Sequence, residues 1–495
     1  MIRFILHPVA ERSSSSIHRL ASFANLEHEF RCRKIRFIPP SVAEKTSSSI
    51  HRLSSFANQE HELRFKCREI YSDLSLKQRK RFKSLQKQSI NNSFCSAAME
   101  DDRNNLFLEL DGSRLEGGGQ ILRNSVAYSA LLRKGIRITK IRVGRDRPGL
   151  RMQHLKGILE VGELCNGDLR GAEVSSTTLS FLPGELRPSG IDLVVDIQTA
   201  GSITLLIQTL LPVLLFHPPP PSSSSSSSSS SPNPSNSASS SSISSPKPST
   251  VTLIGGTNAS NAPQIDFFIH VFLPVAEKMF GKNRVRATVL QRGYYPKGGG
   301  RVLLEVTPLP PGESLKAISM TELGTLRKIG GYVFVGGSLP QHIAWDMHKQ
   351  AVEDLQLSDR VGRLERDLKV VVEEATGGGS GLVIWAQTDT GCVLAGTGLG
   401  ERQKKAKGVA KEATEMLLQN LSQNVCVDEF LQDQLIIFMA LAQGRSRILT
   451  GSVSLHTQTA MWVATELTGV TFHVEELDGH RFVIQCDGIG FSSPL

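Results

Sequence analysis

Leu110–Arg123, LDGSRLEGGGQILR, places three consecutive glycines between a β-rich segment and an apolar helical pattern. A glycine turn before a helix can bring backbone N–H groups close to a phosphate at the helix N-terminus. The spacing matches neither G-x-x-x-x-G-K-[ST] nor G-x-G-x-x-G, and a tight structural turn is the commoner explanation of such a segment. The pattern predicts a strand over Phe107–Leu110 and a helix over Gly119–Leu132.

On both sides of this turn, short β-rich runs alternate with amphipathic patterns of helical period. Further strands are predicted at Arg137–Val143, Leu193–Ile197, Arg301–Val306 and Gly381–Gln387. Further helices are predicted at Arg151–Cys165, Ser202–Phe216, Pro263–Phe280, Lys404–Leu421 and Asp433–Leu441. This mixture indicates an α/β or α+β protein.

The chain has 495 residues, enough for two or three domains, and its 39% hydrophobic content is typical of a soluble globular protein. The longest apolar run, Ile203–Phe216, is interrupted by Gln208 and Pro212 and is shorter than the roughly 18 residues that a membrane span needs. We therefore expect no transmembrane segment.

The first 98 residues carry 18 Lys and Arg against 8 Asp and Glu, whereas the rest of the chain has a net charge of −1. They also contain a duplication, because Ser14–Asn25 recurs as Ser47–Asn58. We expect residues 1–103 to be a basic, disordered extension, or an upstream segment that is absent if translation starts at Met99. A transit peptide is the less favoured alternative, since the segment contains several glutamates.

A second low-complexity stretch covers residues 218–248 and includes the unbroken serine run 222–231. Its composition cannot bury enough apolar surface to offset the entropy of ordering, so we expect a disordered surface loop between a helix and a strand of one domain. The seven cysteines are scattered and form no C-x-x-C pair, which is typical of reduced thiols in the cytosol or nucleus.

Ile141–Leu155, IRVGRDRPGLRMQHL, concentrates four arginines within ten residues. Guanidinium groups bind phosphate oxygens in a bidentate manner, and a strand–turn–helix context would collect them at one edge. A solvated loop is the ordinary alternative for such a charge run. Because the body of the chain is neutral overall, RNA binding there would depend on a local cluster of this kind.

Further polar, glycine-rich segments follow: TAGSITLLIQ (199–208), GGTNASNAPQID (255–266), RGYYPKGGG (292–300), and DQLIIFMALA with SLHTQT inside 428–459. Together with EGGGQILR and RPGLRMQHL, in this order, they closely resemble the RNA 3'-terminal phosphate cyclase family. The resemblance extends from about Leu106 to the C-terminus, apart from the serine-rich stretch.

That resemblance implies an α+β fold: a large domain of three repeated units, each a small sheet backed by two helices, with a smaller α/β domain inserted. The large domain would comprise residues 104–308 and 426–495, and the inserted domain residues 309–425. The segment TDTGC (388–392) matches a signature of the inserted domain.

The resemblance also implies the site. His456 matches the family's nucleophile, and its place in the first turn of a helix that starts near Ser454 favours the neutral imidazole that attack on phosphorus requires. Glu116 matches a metal-linked carboxylate. Positions that contact ATP or the RNA phosphate in the family match Arg123, Arg142, Arg145, Gln153, His154, Gln208, Pro263, Phe430, Asp433 and Gln434. Relatives often carry tyrosine where this chain has Phe430.

By the same resemblance, the enzyme would be a ligase that uses ATP and Mg²⁺ or Mn²⁺ to convert an RNA 3'-phosphate into a 2',3'-cyclic phosphate through a histidine–AMP intermediate. The alternatives are the family's non-catalytic ribosome-biogenesis branch, which loses the adenylylation site, and an enolpyruvyl transferase built from similar repeats. The presence of His456 and the arginine cluster favours the catalytic branch. Relatives are mostly nuclear, so we expect the nucleoplasm, or an organelle if residues 1–98 act as a transit peptide.

Overall fold

The computed structural model describes residues 106–220 and 246–493, and the chain from Leu106 onward forms one compact unit. The described residues form four β-sheets accompanied by helices, which confirms the α+β class. The extension 1–103 and most of the serine-rich stretch lie outside the described residues, so the predictions made for them stay predictions.

The first repeat contains the glycine turn. Its sheet has the order β1-β2-β4-β3, formed by β1 (Phe107–Asp111), β2 (Gly135–Thr139), β3 (Asp168–Arg170) and β4 (Leu179–Leu182). Its helices are α1 (Gly119–Leu132) and α2 (Met152–Leu164). The strand predicted over Arg137–Val143 begins at Gly135 and ends at Thr139, because Lys140 and Arg142 adopt positive φ angles of 51° and 52° that break the extended chain.

The second repeat is interrupted by the serine-rich stretch. Its strands are β5 (Asp192–Asp196), β6 (Ser249–Gly255), β7 (Val285–Gly293) and β8 (Gly300–Val306), and the short β12 (Ala375–Thr376) extends the sheet beside β7. Its helices are α3 (Ile203–Leu214), α4 (Ile265–Phe267) and α5 (Leu273–Phe280), with a π-helical turn (Phe268–Phe272) that joins α4 to α5. The helix predicted over Pro263–Phe280 is therefore present, with a widened turn in its middle.

The third repeat brings the C-terminal part of the chain together with a strand from much earlier. Its sheet has the order β16-β17-β15-β9, formed by β9 (Ser319–Met320), β15 (Gln443–Thr450), β16 (Phe472–Glu476) and β17 (Phe482–Ile489). Its helices are α8 (Glu429–Leu441) and α9 (Leu455–Thr468).

The fourth sheet, which we call the small sheet, has the order β11-β10-β13-β14. It is formed by β10 (Leu326–Gly336), β11 (Glu365–Glu373), β13 (Gly379–Thr388) and β14 (Val393–Leu399), with helices α6 (His342–Gln356) and α7 (Ala406–Ser422). It lies within the range predicted for the inserted domain, whose limits at 309 and 425 stay a prediction.

The helices of the three repeats pack on one another and place the helix starts close together. Helix α1 buries every residue from Gln120 to Leu131 because it contacts α2, α3 and α9. Helix α9 also contacts α8, so the third repeat is joined to the first through these helices. In the part of the chain that the structure describes, no helix is long and apolar enough to cross a membrane.

Candidate active site

The start of α9 lies beside the glycine turn. The backbone N–H of Glu116 donates a hydrogen bond to the hydroxyl of Thr459 at 3.2 Å. Ser454 caps α9 by accepting from the N–H of Thr457 at 3.2 Å, as the sequence predicted for this helix start. His456 is exposed in the first turn of the same helix. Two segments 343 residues apart therefore form one site.

The three glycines give the space that this site needs. A Cβ atom on Gly118 would overlap the carboxylate of Glu116. A Cβ on Gly119 would lie 2.7 Å from Nε2 of His154 and 2.8 Å from a terminal guanidinium nitrogen of Arg123. Gly117 has a φ of 57°, the left-handed conformation that favours glycine. The motif is thus a turn that lets a carboxylate, an imidazole and a guanidinium come together.

The predicted arginine residues have different partners. Arg145 donates to both the carboxylate and the backbone carbonyl of Glu116, the latter at 3.1 Å. Arg142 instead donates to two carbonyls of its own loop, those of Arg147 at 3.2 Å and Gly149 at 3.1 Å. Arg145 therefore contacts Glu116 directly, whereas Arg142 holds the loop that carries Arg145 and acts on Glu116 and His154 through its charge. The predicted phosphate contacts of both arginines stay predictions.

Arg123 is buried, with 8% of its surface exposed, and donates to the side-chain carbonyl of Gln120. Desolvation lowers the pKa of this guanidinium, and the charges of Asp433 and Glu116 oppose that shift. The Nε–H of Arg123 is buried and has no hydrogen-bond partner among the described residues, so it can donate to a phosphate oxygen that enters the site.

His456 is placed to remain neutral. Desolvation lowers its pKa from the ordinary value; the charges of Arg123 and Arg145 act in the same direction, and Glu116 opposes them. The N-terminal end of α9 also disfavours a positive charge at this position. A neutral imidazole retains the lone pair that a nucleophile or a base requires.

His154 lies in the first repeat, and its neighbour Gln153 connects that repeat to the second. His154 is buried, and desolvation together with Arg123, Arg142 and Arg151 lowers its pKa to about 3. Its Nδ1 accepts a hydrogen bond from the N–H of Arg151 at 3.3 Å. The side-chain carbonyl of Gln153 accepts from the N–H of Ser202 at 3.2 Å, which joins it to the TAGS segment.

Gln208, Asp433 and Gln434 line one cavity between α1, α3, the π-helical turn and α8. Burial raises the pKa of Asp433 to about 7, although the charge of Arg123 opposes this shift. The Gln434 amide donates to the backbone carbonyl of Phe430. The structure therefore groups these three polar residues next to the buried Arg123.

Phe430 and Pro263 lie on the segments that flank this cavity. The ring of Phe430 is half-buried and meets that of Phe267 edge-on, with centroids 6.2 Å apart. The carbonyl of Pro263 accepts from the hydroxyl of Thr204 at 2.7 Å, and Thr204 contacts Ser202. The segment that carries Pro263 is thereby tied to the one that binds Gln153.

A divalent cation would find a limited set of ligands here. No group of three or more His, Cys, Asp or Glu suited to a metal ion occurs among the described residues. Oε2 of Glu116, however, is buried and has no hydrogen-bond partner in this part of the chain. A single carboxylate oxygen fits Mg²⁺ or Mn²⁺, since Mg²⁺ is commonly held by one or two carboxylates together with the phosphates of a substrate.

The structure adds residues that sequence reasoning did not single out. Thr459 binds the backbone of Glu116, Gln120 binds Arg123, and Asn124 lines the cavity with Asp433. Thr459 follows His456 by three positions, so helical spacing alone could have placed it on the same face. Nothing in the local pattern around Gln120 or Asn124 distinguishes them from core residues of α1.

The sequence is similar to proteins of one named family. The family model for RNA 3'-terminal phosphate cyclase matches residues 114–228 and 236–474. A protein of Pyrobaculum aerophilum named RNA 3'-terminal phosphate cyclase is 37% identical over 388 residues, which cover 78% of this chain and all of the archaeal protein.

Two eukaryotic relatives are similar to a comparable degree. A probable RNA 3'-terminal phosphate cyclase of Dictyostelium discoideum is 37% identical over 77% of this chain and 83% of its own length. The RNA 3'-terminal phosphate cyclase of Drosophila melanogaster is 34% identical over 79% of this chain and 98% of its own length. From its motifs, its repeated fold and these relatives, the chain belongs to the RNA 3'-terminal phosphate cyclase family.

Proposed function

We propose that this protein is an RNA 3'-terminal phosphate cyclase that uses ATP to close a 2',3'-cyclic phosphate at an RNA end. The observation that carries the proposal is the convergence of a neutral histidine, His456, with the carboxylate of Glu116 and the guanidinium groups of Arg123 and Arg145. The names of the relatives support the same substrate and product classes.

In the first step, a ring nitrogen of neutral His456 attacks the α-phosphorus of ATP. A phosphorus–nitrogen bond forms, the bond to the β-phosphate oxygen breaks, and diphosphate leaves. The exposure of His456 at a helix start gives a nucleotide access to its ring, and the lowered pKa keeps the lone pair available at neutral pH.

In the second step, an oxygen of the RNA 3'-phosphate attacks the same phosphorus and displaces the imidazole, so that AMP is transferred to the RNA end. In the third step, the neighbouring 2'-hydroxyl attacks the RNA phosphorus, loses its proton and displaces AMP. The last step is intramolecular and needs correct placement more than a strong catalyst. The overall reaction consumes ATP and yields AMP, diphosphate and the cyclic phosphate.

Two arginine side chains would stabilise the negative charge that builds up on the phosphate during transfer. Arg123 approaches the site from α1, and Arg145 approaches it from the loop of residues 140–151, which we call the arginine loop. Guanidinium groups neutralise the charge that accumulates on transferring phosphates. Asp433, with its pKa near 7, lies within electrostatic range of Arg123 and Glu116. The cavity lined by Gln208, Asp433 and Gln434 has room for about one water molecule, so these side chains would contact the edge of the nucleotide rather than enclose it. The half-buried ring of Phe430 would offer a face to its base.

Glu116 would hold Mg²⁺ or Mn²⁺ through its free carboxylate oxygen, together with phosphate oxygens of ATP. When bound, such an ion polarises phosphoryl oxygens as a Lewis acid. The nuclear address, the organellar alternative and the role of residues 1–98 stay predictions.

The proposal is tested by covalent labelling. The protein is incubated with Mg²⁺ and ATP labelled at the α-phosphate, and an acid-labile, base-stable label on the chain is the expected product of a phosphorus–nitrogen bond. His456→Ala should abolish the label. His473→Ala, which changes an exposed histidine on β16, is the matched control and should keep it. Labelling of the His456→Ala variant would show that another residue is the nucleophile.

A further inference from the structure

A second groove lies between the small sheet and the second repeat, away from the cavity described above. It is lined by side chains of β10, β11 and β13 on one side and by His270 and Pro274 on the other. None of its residues belongs to the motifs that the proposed function uses. We call it the sheet groove.

The register of the small sheet shows which side chains face this groove. Gly396 and Gly398 touch the backbone of α7 and pair with Ile384 and Leu382, so this face of the sheet packs against the helices. Trp385 directly follows Ile384 on β13 and therefore faces the other way. It pairs with Gly330, and Tyr332 pairs with Lys369 on the same face. The groove therefore lies on the side of the sheet opposite α6 and α7, facing His270 and Pro274.

The groove has an aromatic wall, formed by His270, Tyr332 and Trp385. The imidazole of His270 stacks on the indole of Trp385 with centroids 4.5 Å apart and planes 6° apart. A Cβ on Gly330 would lie 2.5 Å from Nε1 of Trp385, so only glycine allows the indole to lie flat on the strand. Desolvation lowers the pKa of His270, and a neutral ring is the better stacking surface. Because Gly330 and His270 cover the two faces of this indole, the rings of His270 and Tyr332 are the surfaces of the wall on which an RNA base can stack.

The same wall is bordered by positive charge. Lys328 and Lys369 both line the groove and are exposed, and no ion pair or hydrogen bond links either ammonium group to another described residue. Asp367 is the one acid among the described residues of the lining. Because the body of the chain is neutral overall, attraction of a phosphate chain to this face would depend on these two lysines, with Glu365 opposite Lys328 and Asp367 opposite Gly330 in the register.

One helical segment joins the groove to the cavity that contains Asp433. Phe268 and Phe272 of the π-helical turn line the cavity that contains Asp433, whereas His270 of the same turn lines the groove. The two sites thus lie on different faces of one segment, separated by about the 10–12 Å diameter of a helix. π-helical turns occur frequently at functional sites.

We propose that the sheet groove binds single-stranded RNA a few nucleotides upstream of the 3'-phosphate, with a backbone phosphate between Lys328 and Lys369 and a base against the aromatic wall. This inference rests on the proposed function, since it takes the substrate to be RNA whose 3' end lies at His456. It gives the small sheet a role in holding substrate that is separate from adenylyl transfer.

The test compares two 3'-phosphorylated RNAs. One is a dinucleotide, which is too short to extend from His456 into the groove. The other has ~15 nucleotides, near the upper end of the strand lengths that single-strand binding surfaces contact. The double variant Lys328→Gln/Lys369→Gln should raise KM several-fold for the long RNA, with kcat unchanged, and should leave the dinucleotide unaffected. The salt dependence of binding to the long RNA should weaken by about 0.7 per lysine in log–log slope. The matched control is Lys349→Gln/Lys407→Gln, which changes exposed lysines of α6 and α7 on the opposite side of the sheet.

Binding of the same long RNA with a 3'-hydroxyl end is measured by fluorescence anisotropy, because this ligand cannot react. Weaker binding by the groove variant than by the control supports the inference. Equal loss of turnover on both RNA lengths, or unchanged affinity for the long RNA, would overturn it. If the wild-type protein cyclises neither RNA, the proposed function fails, and the anisotropy comparison still decides whether the groove binds RNA.

Discussion

Two neighbouring arginines should respond differently to the same substitution by lysine. Arg142 holds its loop by donating to the carbonyls of Arg147 and Gly149, whereas Arg145 reaches across to the carboxylate and carbonyl of Glu116. In each arginine one terminal guanidinium nitrogen makes both contacts, and the shorter lysine side chain keeps the positive charge without placing a nitrogen at that position. The effect of each change therefore depends on what that nitrogen holds.

The contacts of each arginine set the expected change in unfolding free energy and in kcat/KM. Each loop hydrogen bond of Arg142 contributes about 0.5–1.5 kcal/mol, and Arg142→Lys removes at least one of them, so the free energy of unfolding should fall by about 1 kcal/mol. The guanidinium of Arg145 is 45% exposed, and an ion pair of that kind contributes about 0–1 kcal/mol to stability. A lost charge-assisted bond to phosphate corresponds to about 1.5–3 kcal/mol in the transition state, or roughly 10- to 150-fold in kcat/KM for Arg145→Lys.

Urea denaturation gives the free energy of unfolding, and cyclisation of a 3'-phosphorylated RNA gives kcat/KM for the same preparations. We expect Arg145→Lys to lose activity at nearly unchanged stability, and Arg142→Lys to lose both. Full activity of the Arg145→Lys variant, or a large loss of stability at that position alone, would refute this division of roles.

Three further outcomes follow from the same site. Gly118→Ala should reduce turnover strongly and stability little, because its Cβ would displace the flexible Glu116 carboxylate rather than backbone; comparing kcat with the urea midpoint checks this. Burial raises the pKa of Asp433 to about 7, so the folded protein holds the proton more tightly than the unfolded chain does. The free energy of unfolding should therefore fall as the pH rises from about 4 towards 7. In the Asp433→Asn variant it should fall less between about pH 5 and 8 than in the wild type. Replacing residues 221–245 by a short Gly-Ser linker should leave the unfolding free energy within about 2 kcal/mol and turnover intact, whereas a larger loss would contradict a dispensable loop.

Local signals in the sequence were sufficient for much of the fold. Helix α1 occupies the predicted range Gly119–Leu132, because an apolar helical pattern starts directly after a glycine turn. Ser454 begins α9 as expected, since its hydroxyl accepts from the N–H of Thr457. Signals of this kind act over a few residues and survive folding unchanged.

The parts that escaped prediction depend on contacts between distant segments. The pattern at 137–143 resembles a strand, yet the arginine loop turns at Lys140 with positive φ angles that local sequence does not encode. Arg142 and Arg145 belong to one charge run, and only the folded chain shows that Arg145 meets Glu116. The sheet groove likewise requires the π-helical turn and β13, which are more than a hundred residues apart.

If His456 is needed only to load AMP, the cyclisation step itself should proceed without it. An RNA that already carries an adenylylated 3'-phosphate is given to the His456→Ala variant, and formation of the cyclic end is followed over time. We expect the variant to cyclise this RNA at a rate close to that of the wild type. We expect no reaction when the variant receives ATP and a 3'-phosphorylated RNA. Failure of a folded variant to cyclise the adenylylated RNA would contradict this role of His456.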